Sequence, residues 1–244
     1  MRNPDYSVEI GPGVAGALAG LELEVVSCRM CPRLVSFREQ VAREKRRHYI
    51  DWEYWGKPVP GFGDTRARLL IVGLAPAPHG GNRTGRVFTG DRSGDFLFGA
   101  LYSAGFATQP ISISRNDGLR VEGAFLTAAV KCAPPGNRPE TREIANCSRF
   151  LRKELEIFRD AVAVLCLGQT AYHSTLKVLT AQYGLAERIP KFRHGLELSL
   201  GNNVPRVFAS YHHPSPRNTQ TGKLTERMFL SLIARIKGIV MEDR

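Results

Sequence analysis

The residues best equipped for chemistry fall into two sets. The first lies in the stretch Gly73–Gly94, GLAPAPHGGNRTGRVFTGDRSG, which holds His79, Asp91, the aromatic Phe88 and three arginines. It follows the apolar run Leu69-Leu70-Ile71-Val72 and precedes the helical apolar pattern Phe96–Leu101. A buried strand thus empties into an unusually long loop before a helix begins. Such loops in a compact domain are either functional or disordered, and this density of charged and aromatic groups argues for function. The second set is cysteine. Cys28 and Cys31 form C-x2-C, with Cys132 and Cys147 far downstream. Four thiols suit a four-thiolate site, zinc or iron–sulfur, because both accept four cysteines; reduced thiols without metal are the alternative. Cys166, inside AVAVLCLG, reads as a small core residue.

Elements that would position these groups follow from the apolar pattern. Helices are expected at Val14–Val26, Leu34–Arg47, Ser93–Ala104, Pro139–Phe158, Gln169–Leu179 and Lys223–Val240. Asn137 reads as the cap of the Pro139 helix, with Pro139 in its first turn. Strands are expected at Arg68–Gly73, Gly123–Lys131, Ala161–Gly168 and Val204–Ser210. Strands that are continuously apolar and alternate with helices imply a parallel sheet covered on both faces. Ligands of such sheets bind outside the carboxyl ends of the strands. The loops Gly73–Gly94, Cys132–Arg138 and His212–Asn218 all leave such ends. Between Tyr49 and Asp64, YIDWEYWGKPVPGFGD reads as an ordered loop packed by its own rings.

The 244 residues carry 34 basic against 23 acidic groups, a net charge of +11. A balance of that sign implies an anionic partner, nucleic acid or an anionic surface. No stretch of about 18 apolar residues is present, which excludes a spanning helix. The start, MRNPDYSVEIGPG, lacks the apolar core of a signal peptide, so a cytoplasmic location with reduced cysteines is expected. GNRTGR lacks the Gly-Lys-Ser/Thr ending of a phosphate-binding loop, and there is no GxGxxG, which argues against a nucleotide-binding enzyme.

Taken together, CRMCPRL, PVPGFGD, GLAPAPHGGNRTGRVFTGD, TAAVKCAPPGN, FRHG and ASYHHPSPRNTQTG resemble the family 5 (B-type) uracil-DNA glycosylases of prokaryotes. The resemblance runs from about Cys28 to the closing helix. It implies a three-layer α/β/α sandwich with a central parallel four-stranded sheet, formed as one domain over 1–244. The first 20 or so residues would be a loosely ordered extension. It implies a [4Fe–4S] cluster on Cys28, Cys31, Cys132 and Cys147. It implies a monofunctional glycosylase that flips uracil out of DNA, hydrolyses its glycosidic bond and so starts base-excision repair. A non-catalytic iron–sulfur nucleic-acid-binding module is the alternative.

By the same resemblance Phe88 stacks on the flipped base, Asp91 stabilises the developing sugar cation, and His212 faces the base carbonyl. Asn137 is also aimed at substrate. Gly73, Ala75 and His79 would wall the pocket, and Asn82 and Arg83, with Gly80 and Gly81, would lie beside a phosphate. In HHPSPRN, Arg217, Asn218 and Gln220 would probe the gap left in the duplex, and His213 would pack the loop or touch a phosphate. Two departures matter. The classical uracil-DNA glycosylase family carries GQDPY at this strand end, with an Asp that activates water; here the matching place is Ala75. Family 4 enzymes place an Asn reader in the second strand, where this chain has Ala128. Loss of that reader implies relaxed base choice, extending to hypoxanthine. The expected partner is double-stranded or single-stranded DNA carrying deaminated bases, met by a monomer.

Overall fold

The computed structural model describes residues 13–185, 189–193, 195–201, 204–210 and 225–242. Four parallel strands form its centre: β2 (Leu69–Gly73), β3 (Ala124–Ala128), β4 (Ala163–Leu167) and β6 (Arg206–Ser210). Two short strands, β1 (Phe62–Gly63) and β5 (Leu196–Leu198), pair antiparallel at the edges, so the order is β1-β3-β2-β4-β6-β5. The sequence pattern showed the four central strands and missed these two, which are too short to have a period. In β2, β3 and β4 every residue is buried, because side chains alternate between two covered faces.

On one face Leu69, Ile71, Leu126 and Leu165 pack against α4 (Arg92–Ser103) and α7 (Glu226–Glu242), through Leu97, Leu101, Phe229 and Ile233. On the other, Leu70, Val72, Val164 and Cys166 pack against α5 (Thr141–Ile157) and α6 (Gln169–Tyr183). Cys166 is fully buried in β4, as its apolar surroundings require. This is the expected α/β/α sandwich.

A third, smaller core joins α1 (Val14–Val26) and α2 (Pro32–Glu44) to α5 through Leu21, Val25, Leu34 and Phe150. Residues 14–20, expected as part of a loose extension, therefore belong to a packed helix; residues 1–12 lie outside the described part. Helix α2 starts at Pro32, where a missing N–H is harmless, and ends before Lys45, whose φ is 51°. Helix α5 starts later than expected. Its cap is Glu140, in a reciprocal capping box with Glu143, so Asn137 is not the cap. Among the described residues no helix is long and apolar enough to cross a membrane.

Strand β2 lies between β3 and β4, so the chain leaves it first to one side and then to the other. Its carboxyl end is the switch point where an open α/β sheet takes its ligand. Beyond the ladder the exits of β2 and β3 stay joined: Ala129 N donates to Gly73 O at 2.9 Å and Val130 N to Leu74 O at 3.0 Å. Strand β3 was expected to run to Lys131; its last three residues instead steer the two loops as a pair.

Candidate active site

At that switch point the loops enclose a cleft of about 320 Å³. Ala75, Pro76 and Ala77 line it where β2 ends. Phe88, Asp91 and Ser93 line it where the long loop returns into α4. Ala128 and Asn137 come from the β3 side. The wall is mostly alanine, proline and aromatic carbon, with Asp91 as its only ionisable group among the described lining residues.

Phe88 has φ 52°, a left-handed conformation that a bulky residue adopts only under constraint. Two glycines make it possible. A Cβ at Gly73 would fall 2.5 Å from Phe88 Cζ, and one at Gly94 would run into the Phe88 carbonyl. Gly73 thus backs the ring instead of touching the cleft. Asn137 also has a positive φ, 56°, in the turn Pro135–Asn137 that brings it to the cleft.

Asp91 does two things at once. Its Oδ1 accepts from Ser93 N and Gly94 N, both at 2.9 Å, and so caps α4. Its Oδ2 makes neither bond and lies over Gly80, where a Cβ would collide with it. The cap therefore fixes the carboxylate at the cleft without using up both oxygens.

The loop between these residues is braced from behind. Arg83 is 3% exposed; its Nε donates to His79 O at 2.7 Å and its Nη2 to Gly90 O at 3.1 Å. Its guanidinium lies 4.0 Å from the ring centres of both Tyr49 and Trp52. The aromatic loop thus packs on an arginine of the long loop and not only on its own rings. Asn82 is fully buried, donating through Nδ2 to Arg38 O at 3.2 Å. Asn82 and Arg83, expected beside a phosphate, are buried side chains bonded to α2 and to carbonyls of the loop. The main-chain N–H groups of Gly80, Asn82 and Arg83 are likewise bonded within the turn into α3 (Gly81–Thr84). Arg86 is a second brace, 2.6 Å from Asp117 and also bonded to Thr89 and Ser112.

His79 stands outside the cleft lining. Its Nδ1 is 3.0 Å from Tyr54 Oη. Burial, and then the positive charges of Arg46 and Arg83, hold its pKa below the ordinary 6.5, so it is neutral at pH 7. His212, Arg217, Asn218 and Gln220, with His213, lie outside the described residues. Ser93 was missed by the sequence reading, since a serine after an acidic cap has no separate signature. Arg38, in the plain helical stretch SFREQ, was missed for the same reason.

The four cysteines singled out by spacing line one small cavity, together with Met30, Pro58 and Lys131. Helix α1 ends just before Cys28, α2 begins just after Cys31, β3's exit carries Cys132, and α5 carries Cys147. Each sulfur has a nitrogen nearby. Arg38 Nη1 is 2.9 Å from Cys132 and Lys131 N 3.4 Å from Cys147. Asn146 Nδ2 and Arg149 Nη2 are 3.5 Å from Cys31 and Cys28. Burial pushes the Cys132 thiol up to about 11, against the pull of Arg38, and Cys147 up to about 12, against the Lys131 N–H. Among the described residues no three His, Cys, Asp or Glu gather closely enough to hold a single metal ion.

Residues 60–237 match the family described as the uracil DNA glycosylase superfamily. The chain is 48% identical over 211 residues to a type-5 uracil-DNA glycosylase of Pyrobaculum aerophilum, covering 86% of this chain and 88% of that protein. It is 47% identical over 228 residues to one of Mycobacterium bovis, covering 93% and 83%. A third, from Thermus thermophilus, is 46% identical over 215 residues, covering 88% and 94%. With a sandwich of this topology, and a cleft at the end of β2, the chain belongs to the uracil DNA glycosylase superfamily and, within it, to the type-5 enzymes.

Proposed function

We propose that this chain is a monofunctional DNA glycosylase that excises uracil, and other deaminated bases such as hypoxanthine, as the first step of base-excision repair. The observation that carries the reading is the cleft in which Phe88, Asp91 and Asn137 meet between Ala75 and Ala128. The names of the relatives support the same activity. The net charge of +11 suits DNA, duplex or single-stranded, bound by a monomer.

A base inside a duplex cannot be reached, so the nucleotide must be extruded at a cost of a few kcal/mol. Phe88 is the platform that receives it; stacking contributes about 1–3 kcal/mol per base, comparable to that cost. When the bond between C1′ and the base nitrogen breaks, its electron pair leaves with the base and the sugar becomes cationic. The Asp91 carboxylate, held by its cap, stabilises the cation. Asn137 donates to the departing base, and His212 is assigned to its carbonyl, a role worth roughly 3–4 kcal/mol. Water then bonds to C1′ through its oxygen and gives up a proton, and the base anion takes one. Ala75 has no group to activate water, so attack follows bond opening. Ala128 supplies no reader for the base edge from β3, which favours a broad choice of base.

Cys28, Cys31, Cys132 and Cys147 are assigned to a [4Fe–4S] cluster. The fit rests on two features. The four thiols line one cavity, and four cysteine thiolates are the donor set such a cluster takes. Arg38, 2% exposed beside Cys132, has an Nε without a hydrogen-bond partner, so the site supplies a positive charge that thiolates would balance. When bound, the cluster cross-links the α1–α2 junction, the exit of β3 and α5.

The test is a duplex with a single uracil, incubated with the protein and then treated with alkali. A break at the uracil, and a slower one at hypoxanthine, is expected. Binding without abasic product would overturn the glycosylase and leave the alternative nucleic-acid-binding module. Iron and sulfide in equal amounts are expected in the purified protein; stoichiometric zinc instead would overturn the cluster.

A further inference from the structure

Arg38 is a buried charged side chain, 2% exposed, set against one of the four thiols. A guanidinium does not deprotonate in a protein, so it carries its charge into the interior. Its contacts there are Cys132 Sγ at 2.9 Å and the Cys28 carbonyl oxygen at 3.3 Å from both Nη atoms. The carboxylate of Glu39 stands 3.8 Å away, but it is already bonded to Arg29 through both oxygens. An isolated buried cation is strongly unfavourable. The arrangement makes sense when the cavity carries negative charge.

The main chain of Arg38 faces the other way. Its carbonyl accepts the Asn82 Nδ2 hydrogen bond at 3.2 Å, and Asn82 is fully buried in the cleft-forming loop. The Asn82 and Arg83 carbonyls in turn accept from Gly56 N at 3.0 Å and Trp55 N at 2.9 Å. Helix α2 closes the contact from its own side: a Cβ at Gly56 would fall 2.9 Å from that of Ala42. One residue therefore touches the thiols with its head and the base-stacking loop with its backbone.

We propose that Arg38 is a positioning residue that couples the two sites: its guanidinium pairs with the thiolate cluster at Cys132, and its carbonyl holds Asn82 and with it the loop that carries Phe88 and Asp91. The proposal rests on the cluster reading above. Partners of this outer kind shift metal affinity by about 10- to 100-fold when removed.

The experiment uses the full chain as purified and its two tryptophans, Trp52 and Trp55. Both belong to the loop assembly, Trp52 over Arg83 and Trp55 against Gly85. Iron release into excess EDTA is followed by loss of visible absorbance, and loop order by emission wavelength and acrylamide quenching. Arg38→Met should release iron about 10- to 100-fold faster than wild type, and Arg38→Lys, which keeps the charge but not the fork, at an intermediate rate. Iron release from wild type should shift tryptophan emission to the red and open it to acrylamide. Asn82→Ala should show the same shift with its iron retained. Should Arg38→Met not fold, Arg38→Lys decides: an intermediate rate supports the pairing and the wild-type rate overturns it. An iron-replete wild type whose tryptophans ignore iron release, or an Arg38→Met protein that releases iron at the wild-type rate, overturns this proposal alone. A wild type that purifies without iron overturns the cluster reading, and this proposal with it.

Discussion

The ring of Phe88 rests on the Cα of Gly73, so close that a Cβ there would lie 2.5 Å from Cζ. The orientation of this ring is therefore set by a strand residue of the sheet. Gly73→Ala should push the ring off its position while leaving the fold intact. Phe88→Ala should lower kcat/KM on a uracil duplex by about 5- to 150-fold, the equivalent of about 1–3 kcal/mol of stacking. Gly73→Ala should fall in the same range; an unchanged kcat/KM in both variants would show that the ring does not stack.

Asp91 caps α4 and is proposed to stabilise the sugar cation, and two substitutions separate these roles. Asp91→Asn keeps an oxygen for the Ser93 and Gly94 N–H groups but removes the charge. Its unfolding midpoint should stay close to wild type while excision falls, and more on hypoxanthine, the poorer leaving group, than on uracil. Asp91→Ala should lose about 1 kcal/mol of stability as well, the usual worth of an N-cap. Equal activity of Asp91→Asn and wild type on both bases would reduce Asp91 to a cap.

His79 has a folded pKa below 6.5, through burial and then the charges of Arg46 and Arg83. Below pH 6.5 the unfolded chain binds its proton more readily than the folded one, so stability falls as pH drops toward the folded value. His79→Gln removes that proton. The excess stability of wild type over His79→Gln should therefore shrink between pH 7 and the acid side of 6.5, measured as the difference in Tm. A constant difference would show that His79 titrates alike in both states.

Lys131 and Glu154 form a fully buried pair at 2.7 Å, with Thr127 Oγ1 bonded to both. Removing one partner strands the other's charge. Lys131→Met or Glu154→Leu alone should cost about 3–5 kcal/mol in chemical denaturation. The double variant should recover most of that loss, and simple additivity would show that the pair is not coupled.

Arg92 and Arg138 follow Asp91 and Asn137 directly and are exposed, one on each side of the cleft. If each neutralises one phosphate, Arg92→Gln and Arg138→Gln should each reduce the slope of log K against log salt by about 0.9. A slope unchanged in both would place the phosphate contacts elsewhere on the surface.

The four central strands and the helices between them were legible because their apolar periods are long and unbroken. Cys28, Cys31, Cys132 and Cys147 could be grouped by type and spacing, and the structure puts all four on one cavity. Arg83 and Asn82 were expected beside a phosphate, and the structure buries both side chains. From sequence alone, an arginine in a glycine-rich loop looks the same whether it meets a phosphate or lies between Tyr49 and Trp52. Asn137 was read as both a cap and a substrate group; Glu140 took the cap, through a carboxylate contact three residues long that the Pro139 signal concealed.

The cavity of the four cysteines has walls that are distant in the chain, from Cys28 to Phe150. On a ribosome adding about 5–20 residues each second, Cys28 and Cys31 would be made seconds before Cys147. Until α5 emerges, the cavity lacks the wall that Cys147 and Phe150 supply. The four thiols can therefore face one another only once synthesis has reached α5, past the midpoint of the chain.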